Sequence, residues 1–224
     1  MLLTQFQSIE KSENGYLIHG DNADVSIVFM SDDIIRIRTS FERKFKEASY
    51  ALVTTAWEDE LDELFKNERT RIKALEVPYE ETDKKVVFTT AKWKLILRKN
   101  PFSFQLQDHK GNVVYKDLKE RAYEVDQLGR LSHYSCIDPV HDHFYGFGEK
   151  TGKLDKKGRR MRMSPKDAIG HDPEFGEPLY KHIPFYIRIN DKMQNAVGFF
   201  YNNSHDAVFD MGNEISGYWD RYCY

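Results

Sequence analysis

FYGFGEKTGKLDKKGRRMRMSPKDAIGHDPEFGEPLYKHIPFY, residues 144–186, decides how the rest of the chain is read. A short strand, Phe144-Tyr145-Gly146-Phe147-Gly148-Glu149, runs into a polar, glycine-punctuated stretch of about 30 residues. The chain then re-enters a strand at Ile183-Pro184-Phe185-Tyr186-Ile187. A loop of that length inside a compact domain is uncommon and is usually functional or disordered. This one carries Asp155, Asp167, Asp172, His171, His182, aromatic rings and a basic run, a set that suits a polyhydroxylated ligand better than a disordered tether. The basic run itself, 150–160, reads as a solvated loop.

Outward from this stretch, period-two alternation dominates. In Ile35-Arg36-Ile37-Arg38 the isoleucines point one way and the arginines the other. Residues 93–98 and 102–107 repeat the pattern, each predicting a strand with one face in a core and one in water. Trp93, in phase with Leu95 and Leu97, reads as core. Asp108-His109-Lys110-Gly111-Asn112 reads as a turn with Gly111 free to take a positive φ, and Val113-Val114-Tyr115 as the hairpin partner. Residues 24–30, 86–90, 196–201 and 207–211 supply further strands, and 217–224 reads as a last one. Short strands at this spacing argue for a sandwich. The exception is 58–73, where Leu61, Leu64, Phe65 and Ile72 sit near helical spacing among charged residues. It is either one amphipathic helix capping the sandwich, which the spacing favours, or a polar excursion between strands. Without an internal repeat or a linker, a single domain over 1–224 is expected.

The chain has 224 residues, 40% hydrophobic and 14% aromatic, enough for a real core with a lean toward sheet. A net charge of −3 provides no basic face to answer backbone phosphates, so nucleic acid is not an expected partner. No window approaches the roughly 18 apolar residues of a membrane span. The N-terminus lacks the charged and apolar regions of a secretory signal. Cys136 and Cys223, far apart in sequence, are expected to be reduced thiols in a cytoplasmic protein. His133, Cys136, Asp138, His141, Asp142 and His143 crowd one short stretch, but their spacing matches no established zinc pattern and no metal is expected.

The flanks of the long loop carry a resemblance. Tyr145-Gly146-Phe147-Gly148-Glu149 and Tyr180-Lys181-His182-Ile183-Pro184-Phe185 resemble Tyr-Gly-Leu-Gly-Glu and Tyr-Lys-x-Ile-Pro-Phe in the N-terminal domain of glycoside hydrolase family 31, the α-glucosidases and α-xylosidases. The resemblance covers roughly 49–224 and is densest from Phe144 onward. It implies an all-β fold, a galactose mutarotase-like antiparallel β-sandwich with one long functional loop. It further implies a retaining α-glycosidase with no cofactor, whose catalytic (β/α)₈ barrel, typically about 250 residues, is absent from this chain. The chain alone is then expected to be inactive. Its partners would be that barrel and an α-glycoside substrate, with self-association through an exposed apolar patch or the edge of the final strand as a further expectation.

Among site residues, Asp167 matches the family's loop aspartate that leans over the barrel mouth and touches substrate. A carboxylate there can accept charge-assisted hydrogen bonds from neighbouring sugar hydroxyls; the competing role is to fix the loop through an Asx-turn. Phe209-Asp210-Met211-Gly212-Asn213-Glu214 echoes the family nucleophile motif Trp-x-Asp-Met-Asn-Glu, but with an interposed glycine and no tryptophan, so Asp210 is read as a strand-end residue. Two other functions remain open. An independent carbohydrate-binding module would stack sugars on Trp57, Trp93 or Trp219. An aldose 1-epimerase would draw its acid and base from His171, His182 and Glu149.

Overall fold

The computed structural model describes residues 1–65, 69–214 and 219–223, the last five as backbone. They form two compact units, Met1–Val125 and Asp126–Tyr224. Nearly every regular element is a strand.

The first unit opens with β1 (Phe6–Ser12), β2 (Gly15–Gly20), β3 (Asp24–Phe29) and β4 (Ile35–Ser40), an antiparallel sheet in that order. An excursion follows, with β5 (Thr54–Thr55), a one-turn helix α1 (Asp62–Phe65) and β6 (Thr70–Arg71). Then β7 (Tyr79–Glu81), β8 (Lys85–Thr89), β9 (Lys94–Lys99), β10 (Phe102–Gln107) and β11 (Val113–Lys116) form a second antiparallel sheet in the order β11-β10-β9-β8-β7. β12 (Tyr123–Val125) closes the unit, and the Met1 amino group donates to Val125 O at 2.5 Å. Ile18, Val25, Ile27 and Phe29 from the first sheet meet Val86, Phe88, Leu97 and Phe104 from the second in one core. The alternation of β-branched and aromatic residues is what lets each sheet turn one face inward. The hairpin at Gly111 is as expected, with a φ of 84°.

The alternation misleads where a face expected in water is covered. Arg36 and Arg38 both pair with Glu47, at 2.8 and 2.6 Å, and the Arg36 guanidinium lies 3.6 Å over the Trp57 ring. The excursion folds over the arginine face of β4, so those cations are largely withdrawn from solvent. On β9, Ile96 is buried opposite Leu95 and Leu97. Trp93 is only half-buried because it ends the turn before β9, where its N–H donates to Thr90 Oγ1 and its carbonyl accepts from Thr90 N.

The helix favoured over 58–73 is reduced to α1; residues 66–68 lie outside the described residues. The rest of that segment is the polar excursion, held by Arg69, whose side chain is 4% exposed and pairs with fully buried Asp59 at 2.8 Å. Isolated helical turns need a packed apolar stripe, and α1 buries none of its residues.

The second unit contains β13 (Leu131–Cys136), β14 (Asp142–Gly148), β15 (Arg160–Met163), β16 (His182–Asn190), β17 (Asn195–Phe200), β18 (Ala207–Asp210) and β19 (Trp219–Cys223). One layer runs β13-β19-β18-β15 and the other β14-β16-β17. Phe144, Phe147 and Tyr186 from the latter pack on Met161, Met163 and Phe209 from the former. β19 is not the exposed edge expected of the final strand: it pairs antiparallel with β13 on one side and β18 on the other. Among the described residues, no helix is long and apolar enough to cross a membrane.

Candidate functional site

The long connection, 149–181, leaves β14 and returns into its neighbour β16, so its two ends are clasped. Glu149 N donates to Lys181 O at 2.8 Å, and Lys181 N donates to the Glu149 carboxylate at 3.2 Å. The glycines of the flanking motif explain the tightness. Gly146 (φ 131°), Phe147 (φ 71°) and Gly148 (φ 78°) form a bulge of three successive positive-φ residues. A Cβ on Gly148 would sit 2.8 Å from Ile183 N, and one on Gly146 2.7 Å from Phe185 O. A phenylalanine at positive φ is a costly backbone state. It is compensated by packing: Phe147 is fully buried and stacks on Tyr186 at 5.0 Å between centroids.

The stretch is not one free loop, as its sequence suggested. β15 lies in its middle and pairs with β18, placing Met161 and Met163 in the core. The flap therefore has two lobes, 149–159 and 164–181.

The first lobe is organised by charges turned inward. Asp155 accepts from His143 Nδ1 at 2.7 Å, Phe144 N at 3.1 Å and Lys157 N at 3.0 Å. Burial pushes the Asp155 carboxyl up, but the His143 hydrogen bond and the two backbone donors outweigh it and hold the group below the usual carboxylate range. Lys156 is 5% exposed and donates to the carbonyls of Thr151 at 2.8 Å and Lys153 at 2.6 Å. Burial, reinforced by nearby Arg159, draws its ammonium below the ordinary lysine range. Lys150, with a side chain 1% exposed, donates to Arg162 O at 2.9 Å and to Glu177 Oε2 at 3.0 Å, tying β15 to the second lobe. The basic run is thus not simply a solvated loop. Two of its lysines are internal fasteners, a role with no local sequence signature because the partners are backbone carbonyls and a distant glutamate.

Asp167 lies exposed in the second lobe. Its Oδ1 accepts the Tyr180 hydroxyl at 2.5 Å, linking the outgoing and returning arms. That hydrogen bond, then burial, raises the Tyr180 hydroxyl above its ordinary value, against an opposing contact from the Ala168 N–H. The Asx-turn in this lobe belongs to Asp172, whose Oδ1 accepts from Glu174 N and Phe175 N, both at 2.8 Å. Tyr180 was the partner that sequence reasoning missed, although it opens the second flanking motif.

The other candidates are dispersed. Asp142 is buried and takes the Arg188 guanidinium and Asn190 Nδ2, the latter at 2.9 Å. His133 meets the Tyr201 hydroxyl at 2.8 Å, and His141 meets Asp191 at 2.8 Å. Among the described residues, no group of three or more such side chains is arranged to hold a metal ion. Asp210 does end β18, and its Oδ1 accepts from Asn213 N at 2.7 Å. Glu149 is engaged with Lys181, His171 is exposed, and the buried face of His182, with Lys150 beside it, lowers the affinity of that imidazole for a proton. Trp57 is 6% exposed beneath Arg36 and offers no open face for a sugar; the Trp219 side chain lies outside the described residues.

Comparison with known proteins agrees with this architecture. The chain is 29% identical over 214 residues to α-glucosidase 2 of Bacillus thermoamyloliquefaciens, covering 95% of this chain and 24% of that protein. It is 33% identical over 99 residues to an α-glucosidase of Saccharolobus solfataricus, covering 44% of this chain and 14% of that one. In three dimensions it resembles a family 31 dextranase of Flavobacterium johnsoniae in complex with glucose, with a TM-score of 0.82 at 20% identity over the whole of this chain and 25% of the dextranase. The chain therefore spans about a quarter or less of the length of these relatives. A family model, the glycosyl hydrolase 31 N-terminal galactose mutarotase-like domain, matches residues 24–210. With its all-β layers and clasped flap, this chain belongs to that family.

Proposed function

We propose that the chain is the non-catalytic N-terminal domain of an α-glucosidase-type retaining glycoside hydrolase, and that its flap completes a substrate pocket built by the enzyme's catalytic barrel. The observation that carries this reading is Asp167: a carboxylate held out in solvent by Tyr180 on a flap whose root is locked by buried charges. One Asp167 oxygen takes the tyrosine hydroxyl, and its other oxygen keeps acceptor capacity for a sugar hydroxyl.

The residues here supply positioning, and the two carboxylates of retaining hydrolysis belong to the barrel. We place the enzyme in the cytoplasm on the same reading. Cys136 faces Trp219 and Cys223 faces Ser132 in the β13–β19 register, four positions apart. That is roughly 13 Å along the strands, beyond the reach of a disulfide.

The test is Asp167→Ala in a polypeptide that carries this chain together with its catalytic portion. Loss of a charged hydrogen bond worth about 1.5–3 kcal/mol predicts a fall in kcat/KM of roughly 10- to 150-fold with the unfolding midpoint unchanged. An unchanged kcat/KM removes Asp167 from the pocket. A reading frame that contains no Trp-x-Asp-Met-Asn-Glu segment downstream of Tyr224 ends the proposal.

A further inference from the structure

The β14-β16-β17 sheet distributes its residues against the usual rule. When an antiparallel sheet has one face in a core, the other face is normally polar. On β16 the inward positions include Arg188 and Asn190, both buried and both bonded to Asp142. The outward positions are Ile183, Phe185, Ile187 and Ile189, and the first three are 53%, 38% and 38% exposed. β17 adds Phe200, 41% exposed and in register with Phe185, and Gly198, over which the Phe185 ring lies at 3.0 Å from an ideal Cβ. Tyr145 on β14 is in register with Ile187 and extends the face. This is a contiguous apolar surface rather than scattered exposed side chains, and such surfaces mark interaction sites.

We propose that this outer face is the seat of the catalytic barrel, an inference that deepens the function proposed above and rests on it. Three observations select that occupant. The relatives extend to about four times the matched length, so a large part of each of them lies beyond the homologous region. The apolar run begins at Ile183, three residues after Tyr180, so whatever covers it arrives at the root of the flap that holds Asp167. The inverted polarity of β16 is costly for a surface that stays in water and natural for one that does not.

The experiment compares this chain alone with the longer polypeptide that includes the catalytic portion. Carbene footprinting is expected to label Phe185 and Phe200 in the chain alone and to label them at least about fivefold less in the longer polypeptide, where a packed interface excludes the reagent. Ile187→Lys is expected to leave the unfolding midpoint of the chain alone within about 2 °C while lowering kcat/KM of the longer polypeptide at least about tenfold. Equal labelling in the two forms overturns the inference. So does a dimer of the chain alone that Ile187→Lys dissolves while the face stays labelled in the longer polypeptide, since the occupant is then a second copy. Protection of the face in a polypeptide with no α-glycosidase activity supports the surface and overturns the functional reading. Activity that depends on Asp167 alongside an unprotected face does the reverse.

Discussion

The excursion between β4 and β7 and the flap between β14 and β16 are both long, polar and interrupted by short strands, yet they spend their charges differently. The excursion looks inward. Its Arg69–Asp59 pair is buried, its Glu47 covers two arginines of β4, and its Trp57 packs with Val28 and Ala56. The flap is fastened by Lys150 and Lys156 and by the pairing of β15 with β18, and beyond those it holds out Asp167, Tyr180, Ile169 and Phe175. A segment whose buried charges are paired inside the fold serves as scaffold. A segment that fastens its base and leaves its tip accessible is built to meet something else.

The largest effect that would test this contrast is in the excursion. Arg69→Met leaves Asp59 buried without its cation and is expected to cost about 3–5 kcal/mol, read as a lower urea midpoint. Converting both residues to apolar ones should recover most of that loss, because the desolvation of both charges disappears with them. If the single variant is neutral, the excursion is not the scaffold described here.

Next comes the flap root. Gly148→Ala brings a Cβ to 2.8 Å from Ile183 N at a φ of 78°, and about 1–3 kcal/mol is expected. Proteolysis should rise within 149–181, and faster cleavage elsewhere instead would show that the clasp does not govern the flap.

Acid sharpens the comparison at the first lobe. The folded Asp155 carboxyl is held below its unfolded value, so its contribution is fully present above the unfolded pKa of about 3.9 and is lost as pH falls through the lower folded one. The stability advantage of the parent over Asp155→Asn should therefore be steady from neutral pH down to about 5 and shrink below about 4. An advantage that persists in stronger acid would assign it to shape rather than charge.

The smallest effect is at the tip. Asp167→Ala should change stability by less than about 0.5 kcal/mol while returning the Tyr180 hydroxyl toward its ordinary titration, visible in tyrosinate absorbance. A Tyr180 titration that does not move would mean the two side chains are not bonded in solution.

What could be read from residue order alone was whatever depends on near neighbours. Period-two alternation and short apolar runs identified β3, β4, β8 to β11, β17 and β18 but passed over β1, β2, β13 and β15. Gly111 announced its turn, and the paired motifs around Gly148 and Tyr180 marked both ends of the flap and its family, because glycine spacing and strand periodicity are local properties of the backbone. Only the folded chain decided which faces meet water. Arg36 and Arg38 looked solvated until a segment some ten to thirty residues away covered them, Lys150 and Lys156 looked like surface charge until carbonyls and Glu177 enclosed them, and 183–187 read as a strand without a sign of which face would lie outward. Burial is set by what packs across a layer, and hydrogen-bond partners distant in sequence leave no imprint on the residues between them.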